Sequence, residues 1–597
     1  CLPIRTAGAL LVTAPASLGK DRGICGRSVA EKSIWHIGLP EDRKFRRRIL
    51  DALPLGFDRA AAETYALHNG EHGKAAANVL LLDIAQTLKS KSLRLSASDQ
   101  DLCDYAASRA RACERVTPSH AAMIALNEGI EPPNGRTMSE KGKAARLACR
   151  YWWRRKVRAS HGRQVEGAAV RMGMVHKRAA LYVSDNSLNR RRGQNRRNRQ
   201  MLEAMQAVNE LNQSFTLQQL SDLSVSNPKI RRGELMTRIA GFEDYANSAG
   251  HVSLFITWTC PSRMHSHHIT GERNPKHDGT NPREASQYLA AQWSKARAAL
   301  NRKKVSPYGF RIAEPHHDGA PHWHMLLFVP TDQAATLIAI MQKYALQVDG
   351  DELGADKHRF KVVEIDRSKG SAAGYVAKYV AKNIDGYGVD VDLFGKDPKK
   401  SAERVAAWAS TWGIRQFQQI GGPGVTVWRE LRRVSEAPAG VLEEARNAAD
   451  AGEWSSFVKI MGGANIRRDA RPISLLKFGA LDKSTGEIRL NRYGEESADM
   501  VRGVRAGAVV LPTRLRTWKI SRAGSQTARP WSPVNNCTGV ENAATNKARK
   551  GKGDSSDCRH GNIEADPENT RSKARAGPSR STSTGYLGQH RECRAED

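Results

Sequence analysis

Two histidines separated by one residue, with a glutamate shortly before them, could together form a three-ligand metal site. They lie in Glu314-Pro-His-His-Asp-Gly-Ala-Pro-His322-Trp-His324. Side chains alternate along a strand, so His322 and His324 share one face, and Glu314 lies at the end of the preceding strand. Such a set leaves coordination positions open for substrate oxygens. The segment predicts Mg²⁺ or Mn²⁺ bound partly through a phosphate. Zn²⁺ would also fit, and the alternative is a pair of satisfied core histidines.

Two tyrosines four residues apart could bring two phenolic oxygens to one phosphate. Tyr375 and Tyr379 lie in the helical run Gly374-Tyr-Val-Ala-Lys-Tyr-Val-Ala-Lys-Asn383. Residues at this spacing share a helix face, with Cβ atoms roughly 5 to 6 Å apart. Lys378 and Lys382 form a second such pair, which could orient the phosphate or stabilise a phenolate. The alternative is a buried aromatic stripe with lysines outside it.

The elements that must position these residues alternate between strand and helix. β-Branched and aromatic runs predict strands over 251–259, 307–314, 321–329 and 358–365. Helical spacing and capping residues predict helices over 281–304, 331–347 and 371–383. The order β-α-β-β-α-β-α predicts an α+β fold, a split ferredoxin-like and mostly antiparallel sheet with flanking helices.

The charge balance points to a polyanionic partner. The chain has 94 Lys and Arg against 62 Asp and Glu, a formal net charge of +32, which is typical of proteins that bind nucleic acid. Its nine cysteines are scattered and include no Cys-x-x-Cys pair. This pattern argues against a disulfide framework or a zinc ribbon and favours a reducing compartment. No apolar run is long enough to span a membrane, so we expect no membrane partner.

Basic and histidine-rich segments elsewhere allow two interpretations each. Trp152 and Trp153 stand among arginines, where they would stack on bases or form a buried pair. Residues 190–199 are the densest basic run, which would track phosphates or form a solvated helix face. Four histidines between residues 265 and 277 are too loosely spaced for a metal site and favour a polar, substrate-facing loop.

Three motifs together resemble those of the HUH endonucleases. They are Thr257-Trp-Thr-Cys-Pro-Ser262, the Glu314 to His324 segment, and Tyr375-x-x-x-Tyr379-x-x-Lys382-Asn383. More narrowly, the chain is similar to the replication gene A proteins of temperate tailed phages, which initiate rolling-circle replication. The similarity extends over residues 151–433, and it identifies the predicted sheet as an HUH-type fold.

The resemblance implies a site-specific nick in one DNA strand at the phage origin, single-stranded or supercoiled. One tyrosine attacks the scissile phosphate, keeps the 5′ end as a phosphotyrosine and frees a 3′-OH that primes synthesis. The second cuts the regenerated origin, and the released 3′-OH rejoins the strand. By position, Tyr375 and Tyr379 are the nucleophiles, and Glu314, His322 and His324 are the ligands of Mg²⁺ or Mn²⁺. Lys382 is the catalytic lysine.

The resemblance also implies the partners and location: the host helicase and polymerase, in the cytoplasm of the bacterial host. We expect a poorly ordered tail over 1–45, a mainly helical basic domain for DNA binding over 46–250 and an endonuclease domain over 251–390. An accessory region over 391–520 and a disordered tail over 521–597 would follow. The alternatives are a plasmid mobilisation relaxase, against which the paired tyrosines argue, and a non-catalytic basic nucleic-acid-binding protein.

Overall fold

The computed structural model describes residues 34–54, 56–87, 93–135, 138–366, 368–387, 397–481 and 485–523. The tails expected over 1–45 and 521–597 lie mostly outside these ranges. A helix nevertheless begins at Pro40, within the first expected tail. It packs on the next helix, where the buried Arg46 donates a hydrogen bond to the Tyr65 hydroxyl.

Helices make up most of the described chain. The α-helices before residue 250 are Pro40–Leu50, Phe57–Thr87, Asp99–Glu114, Pro118–Asn127, Glu140–Leu147, Arg150–Arg171, Asp185–Glu203, Leu217–Asp222 and Pro228–Ser248. The later ones are Pro282–Arg302, Ala334–Ala345, Ala355–His358, Ala372–Ile384, Pro398–Trp412, Val425–Leu431, Val441–Ala451 and Trp454–Ile460. The 3₁₀-helices are Ile34–His36, Ser262–Met264, Thr331–Gln333 and Arg468–Ala470. Within the described ranges, no helix is both long enough and apolar enough to cross a bilayer.

The strands form three antiparallel sheets. They are β1 (Met205–Asn209), β2 (Ser214–Thr216), β3 (His251–Trp258), β4 (Tyr308–Pro315), β5 (Pro321–Pro330), β6 (Phe360–Glu364), β7 (Phe417–Ile420), β8 (Ser474–Phe478), β9 (Met500–Ala506), β10 (Val509–Pro512) and β11 (Trp518–Arg522). The central sheet has the order β6-β3-β5-β4-β7, and the small sheets have the orders β11-β1-β2 and β10-β9-β8. The mixed α+β class with antiparallel sheets is therefore confirmed. The fifth central strand, β7, was not predicted.

The central sheet is covered on both faces. One face carries Phe255, Leu326 and Phe328 and lies under the helices Pro228–Ser248 and Ala372–Ile384. The opposite face carries Trp323, Met325 and Leu327 under Pro282–Arg302 and Ala334–Ala345. Because both faces are buried, β5 is apolar along nearly its whole length, as expected for a central strand.

The hydrophobic core beneath the first face crosses the expected boundaries at residues 250 and 390. It joins Phe242, from the expected N-terminal domain, to Phe310 in the sheet and to Trp428 and Trp454 beyond residue 390. These side chains are almost fully buried. The central sheet thus shares one core with segments on both sides of it.

The two basic segments of the N-terminal half differ in what they expose. Trp152 and Trp153 are 5% and 0% exposed, so the tryptophans form a buried pair and stack on nothing outside the protein. Residues 190–199 lie on the helix Asp185–Glu203, where Arg192 pairs with Glu403 at 2.6 Å. Part of this basic run therefore holds the helix against Pro398–Trp412.

Candidate active site

Strand pairing brings the three predicted metal ligands together. Glu314 on β4 lies directly opposite His322 on β5, and His324 shares its face two residues on. The Nε2 atoms of the two histidines are 3.0 Å apart, and His324 Nε2 is 3.7 Å from Glu314 Oε2. One ligand atom from each residue lies within 4.8 Å of the others, and all three residues are buried. Three donor atoms therefore converge on one point.

Burial keeps both imidazoles neutral near pH 7. It lowers the pKa of His324 to about 4, although Glu314 opposes that shift. Burial, and then the neighbouring His316, also lower the pKa of His322 well below its usual value. A neutral imidazole offers a nitrogen lone pair, which is the form that binds a metal.

The hydrogen bonds of the histidines fit a metal between them. His324 Nδ1 lies 3.1 Å from Thr257 Oγ1, and with Nδ1 donating, Nε2 carries the lone pair. This is the arrangement that orients metal-binding histidines in proteins. His322 Nδ1 is buried and has no hydrogen-bond partner among the described residues. Two nitrogens and one oxygen suit Mg²⁺, Mn²⁺ or Zn²⁺.

Lys382 lies beside Glu314. Its Nζ is 3.2 Å from Glu314 Oε2, and both side chains are almost completely buried. Asn383 Nδ2 donates to Glu314 Oε1 and also to the Tyr379 carbonyl oxygen, at 2.7 Å. A buried carboxylate requires such partners. Lys382 and Asn383 thus fix the carboxylate that faces the two histidines.

The tyrosines lie on the helix Ala372–Ile384, called the tyrosine helix from here on. Tyr379 is half-buried, and its ring centroid is 4.3 Å from that of His324. Tyr375 is 41% exposed and contacts the Phe255 ring edge-on at 4.8 Å. Lys378 is exposed, with Nζ 5.6 Å from the Tyr375 ring centroid and 5.0 Å from that of Tyr379. Of the two lysines, Lys378 is therefore the one beside both tyrosines.

The phenols differ in their environments. Burial, and then the neighbouring Tyr375, raise the pKa of Tyr379 above its ordinary value. The Phe255 ring stacks on Tyr379 at 5.3 Å and supports its inner side. Tyr375 is the more solvent-accessible of the two phenols.

A carboxylate from a distant helix holds the start of the tyrosine helix. Glu243 is buried, and its two oxygens accept hydrogen bonds from Ala372 N at 2.6 Å and Ala373 N at 2.9 Å. The Ser371 hydroxyl accepts a third bond, from Gly374 N. The first amides of a helix have no partner within the helix, and a negative charge there is favoured by the helix dipole.

The histidine-rich loop lies against the site. His265 Nδ1 is 3.4 Å from Asp318 Oδ2, and its ring is in edge contact with His316. The His316 ring in turn lies 4.0 Å from that of His322. Within the described ranges, the loop histidines form no three-ligand group. Of the four, His265 lies behind His322, separated from it by the His316 ring.

Four contributors to the site receive no role from the sequence, although two of them stand within the quoted motifs: Thr257 and Asn383 in the motifs, and Phe255 and Glu243 outside them. Thr257 is paired with His324 across β3 and β5, so aligning the predicted strands would have suggested it. Asn383 directly follows Lys382, but nothing in its type indicates a bond to Glu314. Glu243 precedes Ala372 by 129 residues, and no local pattern links the two.

Comparison with known proteins gives one consistent family. The family model described as bacteriophage replication gene A protein matches residues 83–387. The replication gene A protein of Escherichia phage 186 is 39% identical over 454 residues, which cover 70% of this chain and 64% of that protein. The replication gene A protein of Escherichia phage P2 is 36% identical, over 66% of this chain and 54% of that protein.

A relative that has a different name is also a replication protein by that name. The "probable replication endonuclease from prophage-like region 1" of Salmonella typhi is 32% identical, over 70% of this chain and 54% of that protein. The chain therefore spans between about half and two thirds of the length of these relatives. No solved structure matches the chain.

Proposed function

This chain belongs to the bacteriophage replication gene A protein family, and we propose that it is a site-specific DNA nickase and strand transferase that initiates rolling-circle replication. In this proposal the central sheet is an HUH-type split ferredoxin-like fold. Replication is the function that its relatives' names share, and the Salmonella relative is named an endonuclease. The tyrosine mechanism and the metal go beyond what these names say, and they are proposed from the geometry of the site.

One observation carries it: a buried Glu314, His322 and His324 set lies against a helix with two tyrosines on the same side. The shared contact is Phe255, whose ring touches His324, Tyr375 and Tyr379. A phosphate between the ligands and the helix would lie near both phenols. A structural core would not require three buried titratable ligands at such a point.

The chemistry is a transesterification. The phenolic oxygen of Tyr375 or Tyr379 attacks phosphorus, the bond from phosphorus to O3′ breaks, and the proton lost by the phenol is balanced by the one that the leaving 3′ oxygen gains. The 5′ phosphate stays on the tyrosine. Lys378 stabilises negative charge on either phenol. Mg²⁺ or Mn²⁺ held by Glu314, His322 and His324 would supply Lewis acidity toward the phosphoryl oxygens.

Two tyrosines allow two cleavages by one molecule. After one round of synthesis the unused phenol cuts the regenerated origin, and the freed 3′-OH attacks the first phosphotyrosine and closes the displaced strand. We propose that the 3′-OH made by the first cut is extended by the host polymerase behind the host helicase, in the bacterial cytoplasm. Lys382 acts in this scheme by holding Glu314.

The test is adduct formation on origin DNA. Single-stranded or supercoiled origin DNA is incubated with the protein and Mn²⁺ or Mg²⁺, and a covalent adduct that survives SDS is measured. We expect the Tyr375→Phe/Tyr379→Phe double variant to form none. Tyr387→Phe is the matched control, since Tyr387 is exposed and follows the tyrosine helix. No adduct with the wild type, or an adduct with the double variant, would refute the tyrosine mechanism.

A metal-ligand variant separates the enzyme from a purely DNA-binding protein. We expect His322→Ala to abolish cleavage and to retain most DNA binding, because affinity rests on distributed phosphate contacts. Binding without cleavage by the wild type would favour the non-catalytic alternative. Transfer of a plasmid origin in place of a phage origin would favour a relaxase.

A further inference from the structure

A large cleft opens at the edge of the central sheet that is farthest from β6. Its volume is about 1120 Å³. Its walls come from the edge strand β7, the glycine turn after it, the C-terminal half of the helix Pro282–Arg302, and the segment that leads into β8. We call it the β7 cleft. None of the proposed catalytic or metal-binding residues lines it.

The lining of the β7 cleft is cationic. It includes five cations, Arg297, Arg468, Arg471, Lys477 and Arg505. No Asp or Glu lines it, although these residues make up 62 of the 597 in the chain. The remaining polar lining is neutral, mainly Asn, Gln, Ser and Thr side chains. Cations with neutral hydrogen-bonding groups are the usual partners of a nucleic-acid backbone.

Four of these cations are available to a ligand. Arg297, Arg468, Lys477 and Arg505 are exposed, and none forms an ion pair with a carboxylate in the described part of the chain. Arg505 Nε donates a hydrogen bond to the neutral Ser474 Oγ at 3.2 Å. Arg471 differs, because it donates to the carbonyl oxygens of Met461 and Gly463 and so supports the wall. Exposed arginines elsewhere often have acidic partners, as Arg192 has in Glu403.

The glycines of the turn are explained by packing. A side chain at Gly421 would meet Tyr308 Cβ at 2.7 Å, and one at Gly422 would meet the Phe242 ring at 2.4 Å. The turn therefore needs no ligand to account for it. The case for a ligand rests on the exposed cations that have no acidic partner among the described residues.

The cleft lies within reach of DNA held at the metal site. Ile420 in its wall pairs with Gly309, five residues before Glu314 along β4. At a rise of about 3.3 Å per residue, this separation is roughly 17 Å. Duplex DNA advances 3.4 Å per base pair, so in the proposed function about five base pairs would span the distance from the scissile phosphate to the cleft.

We infer that the β7 cleft binds the phosphodiester backbone of the DNA that flanks the nick, an inference that rests on the proposed function. The cleft holds the flank while the phosphate at the cut is held by the site itself. Its contribution to affinity begins only when the DNA is long enough to reach it.

The test compares charge reversal at two edges of the sheet. The cleft variant is Lys477→Glu/Arg505→Glu. The matched control is Lys343→Glu/Lys357→Glu, which changes the same charge on exposed residues near β6. Binding of origin oligonucleotides is measured by fluorescence anisotropy over a salt series. The flank is extended on either side of the nick, once as a single strand and once as a duplex.

We expect the cleft variant to bind long-flank DNA about tenfold more weakly than the control does. The slope of the logarithm of the binding constant against the logarithm of the salt concentration should fall by roughly 1 to 2, because each lost phosphate contact removes about 0.9. DNA whose flanks stop short of about five nucleotides should bind both variants equally. If only the single-stranded flanks show the loss of affinity, the cleft binds single-stranded DNA. If only the duplex flanks show it, the cleft binds duplex DNA.

Equal loss in the two variants, or a loss that does not depend on flank length, would overturn the inference. The inference would also be overturned if longer flanks raised the affinity of the cleft variant as much as that of wild type. In that case β7 would be left as an open sheet edge that could pair with an extended peptide. Adduct formation on the long-flank DNA is followed in parallel. If wild type forms no adduct there, the proposed function fails, whereas the flank dependence reports on the cleft alone.

Discussion

At the scale of single residues, we expect the threonine bonded to His324 to affect the proposed metal site. Thr257→Val removes the hydroxyl bonded to His324 Nδ1 and keeps the shape of the side chain. We expect Mn²⁺ to bind about 10- to 100-fold more weakly, because loss of such a partner frees the ring to rotate and removes its tautomer preference. Isothermal titration with Mn²⁺ measures this change.

Ser253→Ala is the control for that measurement. Ser253 lies on the same strand and the same face, four residues from Thr257, and its buried hydroxyl has no hydrogen-bond partner within the described ranges. Its removal should leave Mn²⁺ affinity unchanged. A similar loss in both variants would mean that any change in β3 disturbs the ligands, and that the bond to His324 has no special role.

The buried histidines also make stability depend on pH. Burial, and then His176, lower the pKa of His267 to about 4, whereas an unfolded histidine has a pKa near 6.5. As the pH falls, His267 is therefore protonated in the unfolded chain before it is protonated in the folded one. The contribution of His267 is therefore fully present above about pH 6.5 and is lost as the pH falls toward 4.

We expect His267→Asn to flatten the dependence of the unfolding free energy on pH between 7 and 5, by up to about 1.4 kcal/mol per pH unit. Urea titrations at several pH values measure this slope. His268→Asn changes the next residue, which is exposed, and should leave the slope as in wild type. A wild-type slope in the His267 variant would contradict the prediction.

The grouping of Glu314, His322 and His324 is predictable from sequence because the information for it is local. Alternation places His322 and His324 on one face, and the short turn at Asp318 and Gly319 sets Glu314 beside them. The partners of Glu314 were not predictable in the same way. The sequence predicts that Lys382 acts at the phosphate, and it gives no sign of the contact with Glu314 that the structure shows, which satisfies two buried charges.

At the scale of elements, the tyrosine helix depends on a carboxylate outside it. Glu243→Ala would leave the amides of Ala372 and Ala373 buried without an acceptor. We expect stability to fall by about 1–3 kcal/mol, the cost of an unsatisfied buried group. Adduct formation should fall too, because the first turn that carries Tyr375 would fray. Chemical denaturation and the adduct assay measure the two effects.

Asp244→Ala is the matched variant, since it removes the same charge at the next residue, which is exposed. Stability and adduct yield should both stay near wild type. If Asp244→Ala were as damaging as Glu243→Ala, the general acidity of that helix would be the cause, and the cap on the tyrosine helix would not.

Element prediction succeeded where patterns were strong and failed where pairing was distant. The strands β3, β4, β5 and β6 have clear runs of β-branched and aromatic residues, and each was found within two residues of its predicted bounds. The strand β7 has only four residues, two of them glutamine, and acquires its form from pairing with β4. Likewise β1 pairs with β11 across some three hundred residues of chain.

At the scale of the whole molecule, the shared core sets the smallest unit that folds. A fragment of residues 251–390 would lose Phe242, Trp428 and Trp454 from the core, as well as β7 from the sheet. We expect this fragment to show no cooperative thermal unfolding, and residues 34–523 to show it. Calorimetry tests both, and a cooperative transition in the short fragment would mean that the sheet is an independent domain.

The pairing of β5 with its neighbours ties correct folding to catalysis. His324 lies between Ile312 on β4 and Thr257 on β3. If β5 were displaced by a single residue, His322 and His324 would turn to the face now occupied by Trp323, and Glu314 would be left alone. A misaligned chain would keep its tyrosines and lose the grouping of Glu314, His322 and His324. In the proposed function, only molecules with accurately aligned strands would therefore cut DNA.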